Sequence, residues 1–272
     1  MVWPFPPKSR KQIARIEITG AIASETRKTV LKALKEVEEK KFPALLLRID
    51  SPGGTVGDSQ EIYEALKKLQ KKVKIVASFG NISASGGVYI SMGAQHIVSN
   101  PGTITGSIGV ILRGNNLERL LEKVGVSFKV IKSGPYKDIL SFDRQLTSEE
   151  ERILQDLIDV SYGQFVKTIA DARGLEVDAV KAFADGRIFS GEQAKELGTV
   201  DRLGTEEDAR IWAAELAGLD PEKAECNTIE EPKSFVNRLL NRSQGRSPIG
   251  NTLNWVEFEL ATAGQPLWLF RP

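Results

Sequence analysis

Ala44-Leu-Leu-Leu-Arg-Ile-Asp-Ser-Pro-Gly-Gly-Thr55 decides the fold, because a short apolar run passes directly into paired glycines and then into an amphipathic pattern beginning near Gly57. An apolar run of this length, closed by turn residues, reads as a strand covered on both faces, and the helix that follows packs back on the sheet. The same step recurs about 30 residues on, where 74–79 runs into Gly80-Asn-Ile-Ser-Ala-Ser-Gly-Gly87 and a helix expected over 85–95. Working outward, further strands are expected at 14–19, 97–99, 105–111 and 128–131. Helices are expected at 25–41 and at 59–69, where Ile62, Leu66 and Leu69 share one face. Thr147-Ser-Glu-Glu is a capping-box start for a long helix through Ala172, and helical segments continue from 177 to 219. The expected class is α/β, with a sheet-rich part (12–146) and a helix-rich part (147–226) in one domain. Residues 227–272 read as a linker and tail of unknown role that ends on an apolar Pro266-Leu-Trp-Leu-Phe.

Composition narrows the function. The chain of 272 residues carries 37 Lys and Arg against 36 Asp and Glu, a net charge of +1, which offers no basic face for nucleic acid. A single cysteine, Cys226, excludes an internal disulfide and a Cys-rich metal site, and nothing in the sequence calls for a metal or cofactor. The longest apolar runs, 44–47 and 108–112, fall far short of the roughly 20 residues that span a bilayer. The opening Met-Val-Trp-Pro-Phe-Pro-Pro lacks the pattern of a secretory signal, so the expectation is a protein of the cytoplasmic side, soluble or peripherally membrane-associated. Trp3 and Phe5 at one end and Trp268 and Phe270 at the other are candidates for a bilayer interface, for packing against a neighbouring subunit or for disorder.

Both glycine-rich junctions can carry chemistry. Glycines at a strand-to-helix turn leave backbone N–H groups uncovered, ready for a developing negative charge. Ser83 or Ser85, at the opening of the second helix, can be a cap or a nucleophile. A nucleophilic serine needs a base, and the only histidine, His96, lies eleven residues on, roughly 16 Å along a helix and at its wrong end. A lysine kept neutral by desolvation is the other common base. Lys137, in Ser133-Gly-Pro-Tyr-Lys-Asp-Ile139, sits in a shaped loop and is one candidate among many lysines.

Five ordered motifs then carry a resemblance. Ser51-Pro-Gly-Gly, Ala84-Ser-Gly-Gly-Val-Tyr-Ile-Ser, Asn100-Pro-Gly-Thr-Ile-Thr-Gly-Ser-Ile-Gly-Val, Lys132-Ser-Gly-Pro-Tyr-Lys-Asp and Arg187-Ile-Phe-Ser-Gly-Glu-Gln-Ala resemble the signal peptide peptidase A (protease IV) family, in its short single-unit form. The resemblance covers about residues 13–216 and implies the Clp protease/crotonase-like fold of repeated strand-strand-helix units. It implies a serine endopeptidase acting on unfolded or membrane-released peptides such as remnant signal peptides, bound in extended form. By it the nucleophile falls on Ser85, the lysine base on Lys137, and the oxyanion donors on the N–H groups of Gly54 and Gly86. It further implies a homo-oligomeric ring or dome in which Lys137 reaches Ser85 across a subunit boundary. Val88 departs from the family's usual tyrosine, and the family's usual membrane anchor before the first strand is missing. Two other readings stand beside it: a crotonase-like acyl-CoA enzyme, which shares the fold, and a non-catalytic oligomeric scaffold.

Overall fold

The computed structural model describes residues 8–229, 258, 262 and 264–270. After a 3-10 turn at Lys8–Lys11 the order is β1 (Ile13–Thr19), α1 (Ser24–Glu39), β2 (Ala44–Ser51), β3 (Gly53–Thr55), α2 (Val56–Leu69), β4 (Lys74–Ala84), α3 (Gly86–Ser91), β5 (His96–Ser99) and β6 (Ile104–Gly106). Then follow α4 (Glu118–Lys123), α5 (Ser148–Arg173), α6 (Val177–Lys181), β7 (Ile188–Ser190), α7 (Gly191–Glu196), β8 (Arg202–Leu203), α8 (Glu206–Leu216), β9 (Cys226–Thr228) and β10 (Leu267–Leu269).

The central strands are apolar on both faces because both faces are covered. From β2, Leu45, Leu47 and Ile49 join a core with α1 (Val30, Leu34) and α2 (Ile62, Leu66). Ala44 and Leu46 point the other way, against Ala209, Trp212 and Ala213 of α8. β1, β2 and β4 are parallel neighbours, which short turns cannot join, so α1 and α2 serve as the crossovers. The main path of the sheet runs β7-β6-β4-β2-β1-β9.

One feature of this sheet positions everything that follows: β4 forks. Its residues 76–79 pair with β5, which in turn pairs with β8, whereas residues 82–84 pair with β6, which pairs with β7. The fork sits at a break in register against β2, between Ile49 and Ser51. Asp50 fills that break: its carboxylate accepts from the Ile82 N–H and from Asn81 Nδ2, both at 3.1 Å. Gly80 makes room for it, since a Cβ there would lie 2.6 Å from Asp50 Cγ.

The first half of the chain follows the sequence pattern, and β4 runs five residues past the expected 74–79 because the fork supplies a second partner. Three expectations fail. The helix expected over 85–95 is a short α3 that ends at Ser91. The strand expected over 105–111 stops at Gly106, where positive φ at Gly106 (85°) and Ser107 (50°) turns the chain. Residues 128–131 form no strand, having no ladder partner, and leave Phe128 and Ile131 exposed. In the second half α5 starts at the Thr147 capping box as expected, and Thr147 Oγ1 accepts from the Glu150 N–H. The helices there also return β7 and β8 to the sheet. Among the described residues no helix is long and apolar enough to cross a membrane.

Asp50 gives a direct test of the fork. Asp50→Ala strands the Ile82 N–H without a partner, which costs about 1–3 kcal/mol, while Asp50→Asn keeps an acceptor oxygen and should cost clearly less. Equal losses of thermal stability in the two variants would refute this role for the carboxylate.

Candidate active site

The second arm of β4 ends at Ser85, which holds φ 52° and ψ −112°. A side chain in this region stores strain of order 1–3 kcal/mol and persists only where neighbours impose it. Here they are explicit: the Ser85 N–H donates to the Gly106 carbonyl at 2.8 Å, and the Ser85 carbonyl accepts the Tyr89 N–H at 3.0 Å, opening α3. The hydroxyl that this turn presents is 1% exposed and has no hydrogen-bond partner. The Ser83 hydroxyl, two residues back, is likewise buried and unpartnered, next to Gly87.

The other glycine turn lies against this one. A Cβ on Gly53 would stand 2.7 Å from the Gly86 nitrogen, and one on Gly86 would stand 3.2 Å from Gly53 Cα. Ser51 holds the first turn, donating to the Gly20 carbonyl at 2.6 Å and accepting the Gly53 N–H at 3.1 Å. Gly54 is wedged against Ile22, whose carbonyl would be 1.9 Å from an added Cβ. The structure therefore brings together Ser85, Gly86 and the Gly53–Gly54 turn. Beneath them Tyr63, Tyr89 and Phe165 stack edge to face, with centroids 5.1 and 5.3 Å apart. Burial pushes the Tyr89 phenol up, and pushes that of Tyr63 up to about 12, so both remain neutral and apolar in character at neutral pH.

Lys137 is not brought to Ser85. It is exposed, on a loop between α4 and α5, and among the described residues its ammonium has no partner. Ion pairs hold that loop, beside the bond from the Leu117 N–H to the Phe142 carbonyl. Arg144 donates to both Asp138 and Glu150, at 2.9 and 2.5 Å, and Lys132 reaches Asp138 at 2.6 Å. The Arg144 guanidinium holds Glu150 down to about 2 and, with Lys132, Asp138 well below the usual carboxylate range. His96 sits at the other end of β4, paired with Val76 and stacked on Trp212 at 4.3 Å, about 30 Å along the strand from Ser85. Burial lowers its pKa, so it is a neutral ring supporting β5.

One participant escaped the sequence reading. Leu267–Leu269 pairs antiparallel with β3, and Trp268, fully buried, packs its ring 4.0 Å from Tyr89 and 4.8 Å from Phe165. Trp268 thus faces neither a bilayer nor another subunit, and Phe270 donates its N–H to the Pro52 carbonyl at 2.7 Å. Trp3 and Phe5 lie outside the described residues. The available signal was the short apolar run after Gly264 and Pro266, which has the form of a strand.

A strained, buried serine at a strand-to-helix turn, packed closely against a second glycine turn, is the constellation of a serine hydrolase. The profile of peptidase family S49 matches residues 67–220, and that of Clp protease matches 9–100. A putative protease of Synechocystis is 72% identical over 277 aligned positions, covering all of both chains. A putative signal peptide peptidase SppA of Enterococcus faecium is 39% identical over 74% of this chain and 62% of its own length. Among solved structures, a mutant of the membrane-bound stomatin-specific protease 1510-N superposes with a TM-score of 0.56 over 81% of this chain and 98% of that one, at 16% identity. A mutant of Listeria monocytogenes ClpP1 gives 0.51 over 74% and 94%, at 20% identity. The fold is thus that of the Clp proteases, and the chain belongs to peptidase family S49, the serine-type peptidases that include signal peptide peptidase A.

Strain at the Ser85 turn is measurable. Ser85→Gly removes both the positive-φ penalty and a buried unpartnered hydroxyl, so the variant should be more stable than the unmodified protein by about 1–3 kcal/mol. Denaturant unfolding reads this out, and a destabilised Ser85→Gly protein would contradict it. Acid tests the loop. Because the folded-state pKa of Glu150 is depressed, its contribution is complete above its ordinary value near 4.3 and is lost as pH falls toward about 2. Protease nicking of residues 112–146 should therefore rise across that window, and Arg144→Ala should show the rise already at neutral pH.

Proposed function

We propose that the chain is a serine endopeptidase working by a Ser85/Lys137 dyad, with its catalytic unit spanning residues 12–226. The observation that carries this reading is the Ser85 hydroxyl: buried, strained and unpartnered, beside the Gly86 amide and the Gly53–Gly54 turn. Ser85 Oγ attacks the scissile carbonyl while a neutral Lys137 Nζ takes its proton. The Gly54 and Gly86 N–H groups hold the oxyanion, the proton passes from Lys137 Nζ to the leaving amine, and water, activated by Lys137 Nζ, releases the acyl group. Substrates are extended peptides without stable fold, such as remnant signal peptides. The protein meets them on the cytoplasmic side, in solution or peripherally at a membrane.

Lys137 enters from a neighbouring subunit of a homo-oligomeric ring or dome. The loop that carries it supports this, because it exposes apolar side chains that a monomer has no reason to solvate. Ile131 is 91% exposed, Val124 63% and Phe128 53%.

Four variants test the assignment. Ser85→Ala and Lys137→Ala should each lose peptide hydrolysis by at least about a thousandfold, as expected when one member of a nucleophile–base unit is removed. Lys137→Arg should be equally inactive, since guanidinium cannot give up its proton to become a base. His96→Ala should stay active. Mixing the Ser85→Ala and Lys137→Ala proteins under subunit exchange should restore activity, and failure despite demonstrated exchange would place the base within one subunit.

A further inference from the structure

The near-neutral chain is charged unevenly. Residues 1–80 hold 16 Lys and Arg against 9 Asp and Glu, whereas residues 81–272 hold 21 against 27, so the surplus of cations belongs to the first strands and helices. The fold gathers that surplus at one end of the sheet. β1, β2 and β4 are parallel and start together there, with Ile13 beside Ala44 and Ala44 beside Lys74. The crossover helices run back to the strand starts, so α1 and α2 both end on this side. Ser9 Oγ donates to the Lys40 carbonyl at 2.6 Å, which sets the 3-10 turn against the end of α1. Lys72 Nζ reaches Glu38 at 2.5 Å and the Lys74 N–H donates to the Pro43 carbonyl at 3.0 Å, which joins the end of α2 to the same place.

Cations at helix C-termini are ordinary, because the helix dipole favours them. Here they exceed what the acids of α1 balance. Glu36, Glu38 and Glu39 each hold one lysine, respectively Lys40, Lys72 and Lys35. Glu225, next to Ile13, is a further acid at this edge and leaves the surplus in place. Arg10, Lys11, Lys41, Lys68, Lys71 and Lys74 are all exposed, and among the described residues none of them makes an ion pair. Lys41 stands in the left-handed region at φ 57°, just past the end of α1, where glycine is the usual residue. A lysine is held there against backbone strain.

Five of these six cations are lysines, point charges that suit the diffuse charge of a surface better than the bidentate phosphate contacts in which arginine excels. The sequence that leads into the 3-10 turn is Val2-Trp-Pro-Phe-Pro-Pro7, whose two aromatic residues are of the kind that settle at a bilayer interface. An apolar insertion and a polybasic patch are the two signals that peripheral membrane proteins combine. We propose that this basic end docks on the anionic headgroups of a lipid bilayer. β4 begins in the basic face at Lys74 and ends beside Ser85, roughly 35 Å away along the strand, so the docked protein turns its serine toward water. The inference builds on the reading of a protein peripheral to a membrane. It makes the substrates peptides that have left the bilayer, rather than peptides still within it.

The test sediments the full-length protein with vesicles of one part phosphatidylglycerol to two parts phosphatidylcholine, and with vesicles of phosphatidylcholine alone. The protein should bind the first and not the second, and added salt should release it. Lys68→Gln, Lys71→Gln and Lys74→Gln combined should weaken binding about a hundredfold, from about fivefold, or about 1 kcal/mol, for each lysine. The same charge removed elsewhere, by Lys167→Gln, Lys181→Gln and Lys195→Gln combined, should leave binding unchanged. Lys41→Gly separates docking from folding: it should weaken binding about fivefold while relief of the positive φ raises the melting temperature. Hydrolysis of a soluble peptide, followed in parallel, should be unaltered in all three variants. Equal losses in the two triple variants would overturn the basic face, as would equal binding to both vesicles or tighter binding to a DNA duplex than to the anionic vesicles. Vesicle binding without peptide hydrolysis would uphold the docking and reject the peptidase, and hydrolysis without vesicle binding would do the reverse.

Discussion

The structure depends on one steric constraint, the approach of two backbones with no side chain between them. A Cβ on Gly53 would stand 2.7 Å from the Gly86 nitrogen and one on Gly86 3.2 Å from Gly53 Cα, and Gly54 is pressed closer still to Ile22, whose carbonyl would be 1.9 Å from an added Cβ. Each contact belongs to a different strand-to-helix turn, so the closeness fixes β3 relative to α3. With that relation fixed, amides from two separate parts of the chain converge on the space beside one hydroxyl. No side-chain hydrogen bond sets this arrangement with comparable precision, because rotamers relax and a backbone contact does not.

The fork in β4 is what makes the approach possible. A straight strand would carry Ser85 on in line with β5, away from β3. Instead the break at Asp50 redirects residues 82–84 toward β6, and the chain turns over the end of β2 before reaching Ser85. Strain at Ser85 is then held by ordinary bonds on both sides, to Gly106 and to Tyr89. The cost in φ is local, and the sheet that imposes it is large.

Much of this was legible because its causes are local. The apolar run 44–49 and the turn that follows it announce a buried strand and a backbone site, and Thr147 with Glu150 announces the start of α5. Ser85 and its glycines, together with the family pattern, marked this turn as the candidate site. What could not be read depends on partners remote in the chain. Residues 128–131 have strand-like composition and no neighbour to pair with, and Leu267–Leu269 became a strand only because β3 lies open to it. The place of Lys137 belongs to the same class, since the loop between α4 and α5 that carries it leaves no mark of spacing near the serine. Trp268 was visible as an apolar residue and invisible as a filler of the Tyr89–Phe165 pocket, which is assembled from α3 and α5.

A cleft built from bare glycine backbone has a consequence for selectivity. Gly54 is bridged to Ile22 on one edge and paired with Trp268 on the other, so both of its contacts are made through backbone. Backbone bonds of that kind bind without discriminating, because every peptide brings the same donors and acceptors. Discrimination therefore has to come from side-chain positions, and on this path the deep one is lined by Tyr89 and Phe165. The apolar layer around Trp268 is thus built from α3 and α5, whereas the glycine turns beside Ser85 are built on the sheet, and the two can vary independently. Val88, in α3 and buried beside this layer, is a position where one can change without disturbing the other.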